Sequence, residues 1–143
     1  MAIKILLSLL VGLALLAALT AFFARRHEDR ANAAYPPRGE LLEIDGVQVH
    51  AVVMGAGPDV VLIHGSSGNA RDMTFDLAPR LAERYRVIAF DRPGLGFTDR
   101  LHEAGATISE QAALLSRAAV ALGAERPVVV GHSYGGAVAL AWA

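Results

Sequence analysis

The chain has 143 residues, a formal net charge of −1 and no cysteine. The missing thiols exclude disulfides, thiolate metal sites and a cysteine nucleophile, and no basic cluster beyond the first quarter gives nucleic acid an electrostatic footing. Setting that first quarter aside leaves about 105 residues, enough for one small domain.

From Ile5 to Ala24 the chain reads ILLSLLVGLALLAALTAFFA, 20 residues without a charge. As a helix this run is about 30 Å long, the thickness of a bilayer's hydrocarbon core. Its 12 Leu, Ile, Val and Phe side chains favour insertion by roughly 4 to 7 kcal/mol. Ser8 and Thr20 can bond back to helix carbonyls and leave that balance unchanged. Residues 1–30 are therefore expected to form one transmembrane helix, a single-pass anchor. Twelve arginines against one lysine, with abundant alanine, match a GC-rich bacterial genome and hence a bacterial inner membrane.

A cleaved signal peptide, which would make the rest a secreted protein, is the alternative. Lys4 and the ANA sequence at Ala31–Ala33 fit it, but the apolar run is long for one, and the charges of Arg25–Arg30 precede the cleavage box. Lys4 and the terminal amine nearly balance Arg25, Arg26 and Arg30, so the orientation stays open. Residues 31–39, ANAAYPPRG, read as an extended linker, because Pro36-Pro37 ends a helix.

Residues 40–143 then alternate between strand and helix patterns. Leu41–Ile44 and Val47–Met54 read as two strands joined at Asp45-Gly46, a strong hairpin signal. Asp59–Gly65 and Arg86–Asp91 are continuous apolar runs suited to strands buried on both faces. Between them Met73, Leu77, Leu81 and Tyr85 recur every four residues, which predicts one helical face that Pro79 kinks or divides. After a Gly- and Pro-rich loop, Thr107 and Glu110 form a capping box for a helix with Ile108, Ala112, Leu115, Ala119 and Leu122 on its apolar face, ended by Gly123. A strand PVVVG and a further helix from Tyr134 complete the pattern. The fold class is therefore α/β, with a mostly parallel sheet and flanking helices, preceded by the transmembrane helix.

Three glycine-bearing sequences fall at strand ends, where such sheets carry their chemistry: HGSSG at 64–68, DRPGLG at 91–96 and GHSYGG at 131–136. In the last, Ser133 lies between a strand and a helix, with Gly131 and Gly135 two residues to either side. Such a turn strains the serine backbone and lifts its hydroxyl above the sheet, and side chains at the two glycine positions would collide across the bend. The helix that follows aims its positive end at the site. A plain glycine turn in a nucleotide-binding sheet is the competing reading; no G-x-G-x-x-G follows the first parallel strand to support it. The backbone amides of Tyr134 and Ser66 are the natural donors to a developing oxyanion. His64 is expected to order its loop through a hydrogen bond and not to move protons, and Ser67 and Asn69 read as loop and helix-cap residues.

These residues carry a resemblance. The chain resembles the first half of an α/β-hydrolase, in the branch with H-G-x-x-G, then D-R-x-G-x-G-x-[ST], then G-H-S-x-G-G, here His64–Gly68, Asp91–Thr98 and Gly131–Gly136 over about residues 40–143. The resemblance implies Ser133 as nucleophile and the Ser66 and Tyr134 amides as oxyanion hole. It also implies that Asp91 and its loop, with Gly65, shape the site, and that His132 is structural. A serine at this place implies attack on an acyl carbon of a small ester or related substrate, without cofactor or metal.

One departure matters. In this fold the triad acid and histidine follow the serine, yet residues 134–143, YGGAVALAWA, contain neither, and all five histidines lie upstream. The strand PVVVG would also leave an apolar flank open. The chain is thus expected to be a piece of a longer protein, inactive as it stands. A non-catalytic, membrane-tethered binding or interaction module of the same fold is the alternative.

Overall fold

The computed structural model describes residues 1–143. It divides into two units, Met1–Pro37 and Arg38–Ala143.

The first unit is one helix, α1 (Ala2–Ala34), apolar over a stretch with mean hydropathy 2.6 and with no residue buried. It is long and apolar enough to cross a membrane. Ser8 Oγ donates to the Lys4 carbonyl at 2.9 Å and Thr20 Oγ1 to that of Leu16 at 2.8 Å, the back-bonding foreseen from sequence. The helix does not end near Arg30. Arg, Glu and Ala are good helix formers, and nothing stops the turns until Pro36 disfavours helical geometry at Tyr35, the cap residue. The non-helical spacer therefore starts at Tyr35 and not at Ala31.

The second unit is a five-stranded sheet, β1 (Glu40–Ile44), β2 (Val47–Met54), β3 (Asp59–Ile63), β4 (Arg86–Phe90) and β5 (Val128–Gly131), in the order β1-β2-β4-β3-β5. Strands β4, β3 and β5 run parallel, while the β1–β2 hairpin joins β4 antiparallel. The sheet is thus mixed, with a parallel block where the apolar runs lie. Asp45 (φ 53°) and Gly46 (φ 79°) make the tight hairpin turn.

The continuous apolar runs are explained by burial on both faces. Val61, Ile63, Ile88 and Phe90 pack with Leu114, Leu115 and Ala118 of α4 (Ile108–Ala121) and Val138 of α5 (Tyr134–Trp142). Val60, Leu62, Val87 and Ala89 face the opposite way, onto Ala70 and Met73 of α2 (Ala70–Thr74) and Ala78 of α3 (Leu77–Leu81). The expected single helix is therefore two short ones. Pro79 sits in the first turn of α3, where a missing amide hydrogen costs nothing. The break rotates the inward face, so that Ala70, Met73 and Ala78 are buried while Leu77 and Tyr85 are exposed, contrary to the four-residue spacing.

The Thr107–Glu110 capping box forms at the start of α4, and Gly123 (φ 78°) ends it, donating to Val120 while Ala124 donates to Ala119. Strand β5 ends the sheet, with Val128 63% and Val130 41% exposed.

Candidate active site

The end of β5 and the end of β3 meet at the bend before α5. The His132 amide donates to the Ile63 carbonyl at 2.9 Å, extending the ladder one step beyond the strands. The chain then reverses at Ser133, whose φ of 52° and ψ of −119° lie in a region that L-residues avoid. Holding a serine there costs of order 1–3 kcal/mol. A β-carbon at Gly131 would collide with the Gly135 carbonyl, and one at Gly135 with the Ile63 and His64 carbonyls. Only glycine permits both approaches.

Ser133 occupies the N-cap position of α5, yet its hydroxyl makes no capping bond and the residue is exposed. The amide of Tyr134, first in the helix, donates to no group, and neither does that of Ser66 in the turn after β3. This turn lies against the bend: a β-carbon on Gly65 would stand 3.3 Å from Ser133 Cβ and 3.0 Å from His132 Nδ1. Ser133, Ser66 and Tyr134 are thus gathered at one sheet end, each with its polar atom unengaged. His132 is exposed.

His64 is completely buried. The Arg92 amide donates to its Nε2 at 3.0 Å, so Nδ1 carries the hydrogen and donates to the Gly65 carbonyl at 2.9 Å. This neutral tautomer is favoured because burial, and then the Arg92 charge, depress its pKa against the Gly65 bond. The ring orders the loop.

Asp91, next to the site loop, is the hub of a buried network the sequence only partly announces. Its Oδ1 accepts from the Ala70 amide at 2.6 Å, and its Oδ2 from the Phe97 amide at 2.8 Å and His50 Nδ1 at 2.7 Å. Burial alone would raise its pKa, but the His50, Phe97 and Ala70 bonds hold it below the usual carboxylate value. His50 was not foreseen as anything but one histidine among five. Its Nε2 faces the Arg38 carbonyl at 2.6 Å, so both ring nitrogens meet acceptors, an arrangement that suits the imidazolium. Burial opposes that imidazolium, and Arg71 opposes it weakly, but Asp91 and the Arg38 carbonyl raise its pKa. The signal was an ionisable side chain inside the otherwise mostly apolar strand β2. A cavity of about 350 Å³ is lined by His50, Asp91, Phe97 and Val52 among others, and not by Ser133, which is exposed.

The His50–Asp91 pair sets a pH dependence. A raised histidine pKa contributes fully below the unfolded value of 6.5 and is lost as pH rises through the folded one. A depressed aspartate contributes above 3.8 and is lost as pH falls through the folded value. His64, depressed, works against stability as pH falls below 6.5, but that effect is common to wild type and a His50→Gln variant. Their difference in unfolding free energy, measured in urea, is expected to be largest between pH 3.8 and 6.5 and to shrink at alkaline pH. A difference independent of pH would contradict the ion pair.

Residues 60–143 match the model of the alpha/beta hydrolase family. The chain is 40% identical over 114 residues to the dihydrolipoyllysine-residue acetyltransferase component of an acetoin cleaving system from Cupriavidus necator, covering 78% of this chain and 29% of that protein. It is 36% identical over 107 residues to 2-hydroxy-6-oxo-2,4-heptadienoate hydrolase from Pseudomonas putida, covering 73% and 39%. A solved bacterial membrane phospholipase A superposes with TM-score 0.68 at 26% identity, over 97% of this chain and 46% of that one. The chain thus spans less than half the length of each of these proteins.

Proposed function

The chain belongs to the α/β-hydrolase family, and on that footing we propose that it carries the nucleophile and oxyanion hole of a serine hydrolase acting on an ester or related acyl substrate. The observation that carries this reading is the strained, exposed Ser133 beside two amides without acceptors. Ser133 Oγ attacks the acyl carbon and its proton passes to a base. The carbonyl electrons move onto oxygen, where the Ser66 and Tyr134 amides and the positive end of α5 receive the charge. Collapse expels the alcohol and leaves an acyl-enzyme, which water hydrolyses. Each preorganised donor lowers the barrier by about 2.7 to 4 kcal/mol.

A serine needs a histidine base held by a carboxylate. His50 and His64 are committed to Asp91 and Arg38, and to Gly65 and Arg92. Residues 134–143 offer no acid or histidine. In this reading the base and acid come from the part of the longer relatives that this chain does not span, and turnover is proposed for a protein that includes it. The test is labelling of that protein with a fluorophosphonate, which esterifies activated serines. Wild type is expected to label and Ser133→Ala not to. Equal labelling would leave the second reading, a non-catalytic module of the same fold.

The relative that is a membrane phospholipase A supports an acyl ester as substrate and a membrane as workplace. Helix α1 is accordingly read as a single-pass anchor in a bacterial inner membrane. The full chain is expected to stay in the membrane pellet after alkaline carbonate extraction. A soluble product whose N-terminus lies just after Ala33 would instead establish a cleaved signal peptide.

A further inference from the structure

Arg92 is 5% exposed and makes no ion pair. Its neighbour Asp91 is committed to His50, and every acceptor the guanidinium meets is neutral. Nε donates to the His64 carbonyl at 3.0 Å, Nη2 to the Gly65 carbonyl at 2.8 Å and Nη1 to Gln111 Oε1 at 3.0 Å. Its Cζ stands 4.6 Å from the centre of the Tyr134 ring. Burying a cation without a counter-charge is costly, and a charge placed solely for stability would be better paired.

The contacts share one feature. In a trans peptide the carbonyl and the following amide point in opposite directions. Two donors, Arg92 Nη2 and His64 Nδ1, converge on the Gly65 carbonyl, and so fix which way the Ser66 amide points. The same guanidinium lies over the side chain of Tyr134, the residue that supplies the other amide. Gln111, on α4, holds the third corner and is itself fixed by donating to the Ala106 carbonyl at 3.0 Å.

We propose that Arg92 is a positioning residue for the oxyanion hole: it locks the Gly65–Ser66 peptide, stacks on the Tyr134 ring and keeps an unpaired positive charge beside the loop that carries the Ser66 amide. This rests on the reading of Ser133 as nucleophile. Lysine keeps the charge but cannot donate to both carbonyls in one plane; methionine keeps much of the volume and loses both.

The experiment follows fluorophosphonate inactivation of the membrane-bound protein that includes the acid and base, comparing wild type, Arg92→Met and Arg92→Lys. The maximal inactivation rate is expected to fall about 10²- to 10³-fold in Arg92→Met, as for loss of one oxyanion donor, and about tenfold in Arg92→Lys. The reagent's half-saturation concentration stays within about twofold, because Arg92 does not touch the reagent. A merely structural arginine would change the folded fraction and leave the rate per folded molecule alone. Should Arg92→Met not fold, Arg92→Lys decides: a wild-type rate in either folded variant overturns the proposal. Failure of wild type to label at Ser133 overturns the underlying reading instead.

Discussion

In a longer protein that supplies the base and acid, replacing Ser133 with alanine is expected to lower kcat for a probe ester such as p-nitrophenyl butyrate by about 10⁶-fold, the scale on which removal of a serine nucleophile acts. The substitution leaves the bend in place. Gly131 and Gly135 still allow the close approach, the His132 amide still reaches Ile63, and no capping bond is lost because the hydroxyl makes none. Alanine tolerates φ of 52° no better than serine, so the thermal midpoint should change little. The two measurements together separate chemistry from folding. Turnover within tenfold of wild type would dismiss Ser133 as nucleophile.

Truncating Asp91 to alanine is expected to have the largest effect on stability. It removes the acceptor of the Ala70 and Phe97 amides and strands His50 in a buried site that still holds the Arg38 carbonyl. Breaking one side of a buried, hydrogen-bonded ion pair costs about 3 to 5 kcal/mol. For a unit of this size each kcal/mol moves the midpoint by about 4 to 8 °C, so a drop of roughly 12 °C or more is expected by circular dichroism. A loss below about 1 kcal/mol would mean that the network relaxes and water fills the gap. The damage should also reach the site, since Asp91 fixes both the start of α2 through Ala70 and the loop through Phe97.

Both predictions concern residues that the chain announces by pattern. An apolar run entering Gly-His-Ser-Tyr-Gly-Gly, followed by a helical period, permits few backbones, because glycine alone accepts a carbonyl against its α-carbon. The Thr107–Glu110 box, the Asp45-Gly46 turn and the uninterrupted Val60–Ile63 and Val87–Phe90 runs are equally local. Each records a constraint acting within a few residues, and each element stands where its pattern places it.

Where neighbours in sequence mislead, the cause is a contact made later in the chain or a breaker further on. Of Met73, Leu77, Leu81 and Tyr85, only Met73 and Leu81 pack toward the sheet; Leu77 and Tyr85 are exposed, because the break between α2 and α3 turns Ala78 inward. Ala31–Ala34 looked like linker, yet helix propagates until a proline stops it.

By itself the amino-acid order determined the apolar N-terminal helix, the alternation of strands and helices and the serine bend, since all depend on periodicity or on glycine and proline geometry. Only the tertiary structure decided which ionisable groups meet. His50 reaches Asp91 across 41 residues and Arg92 reaches Gly65 across 27. Such pairs are set by strand order and register, and the energy of a buried charge depends on what the fold brings beside it, which no local pattern encodes.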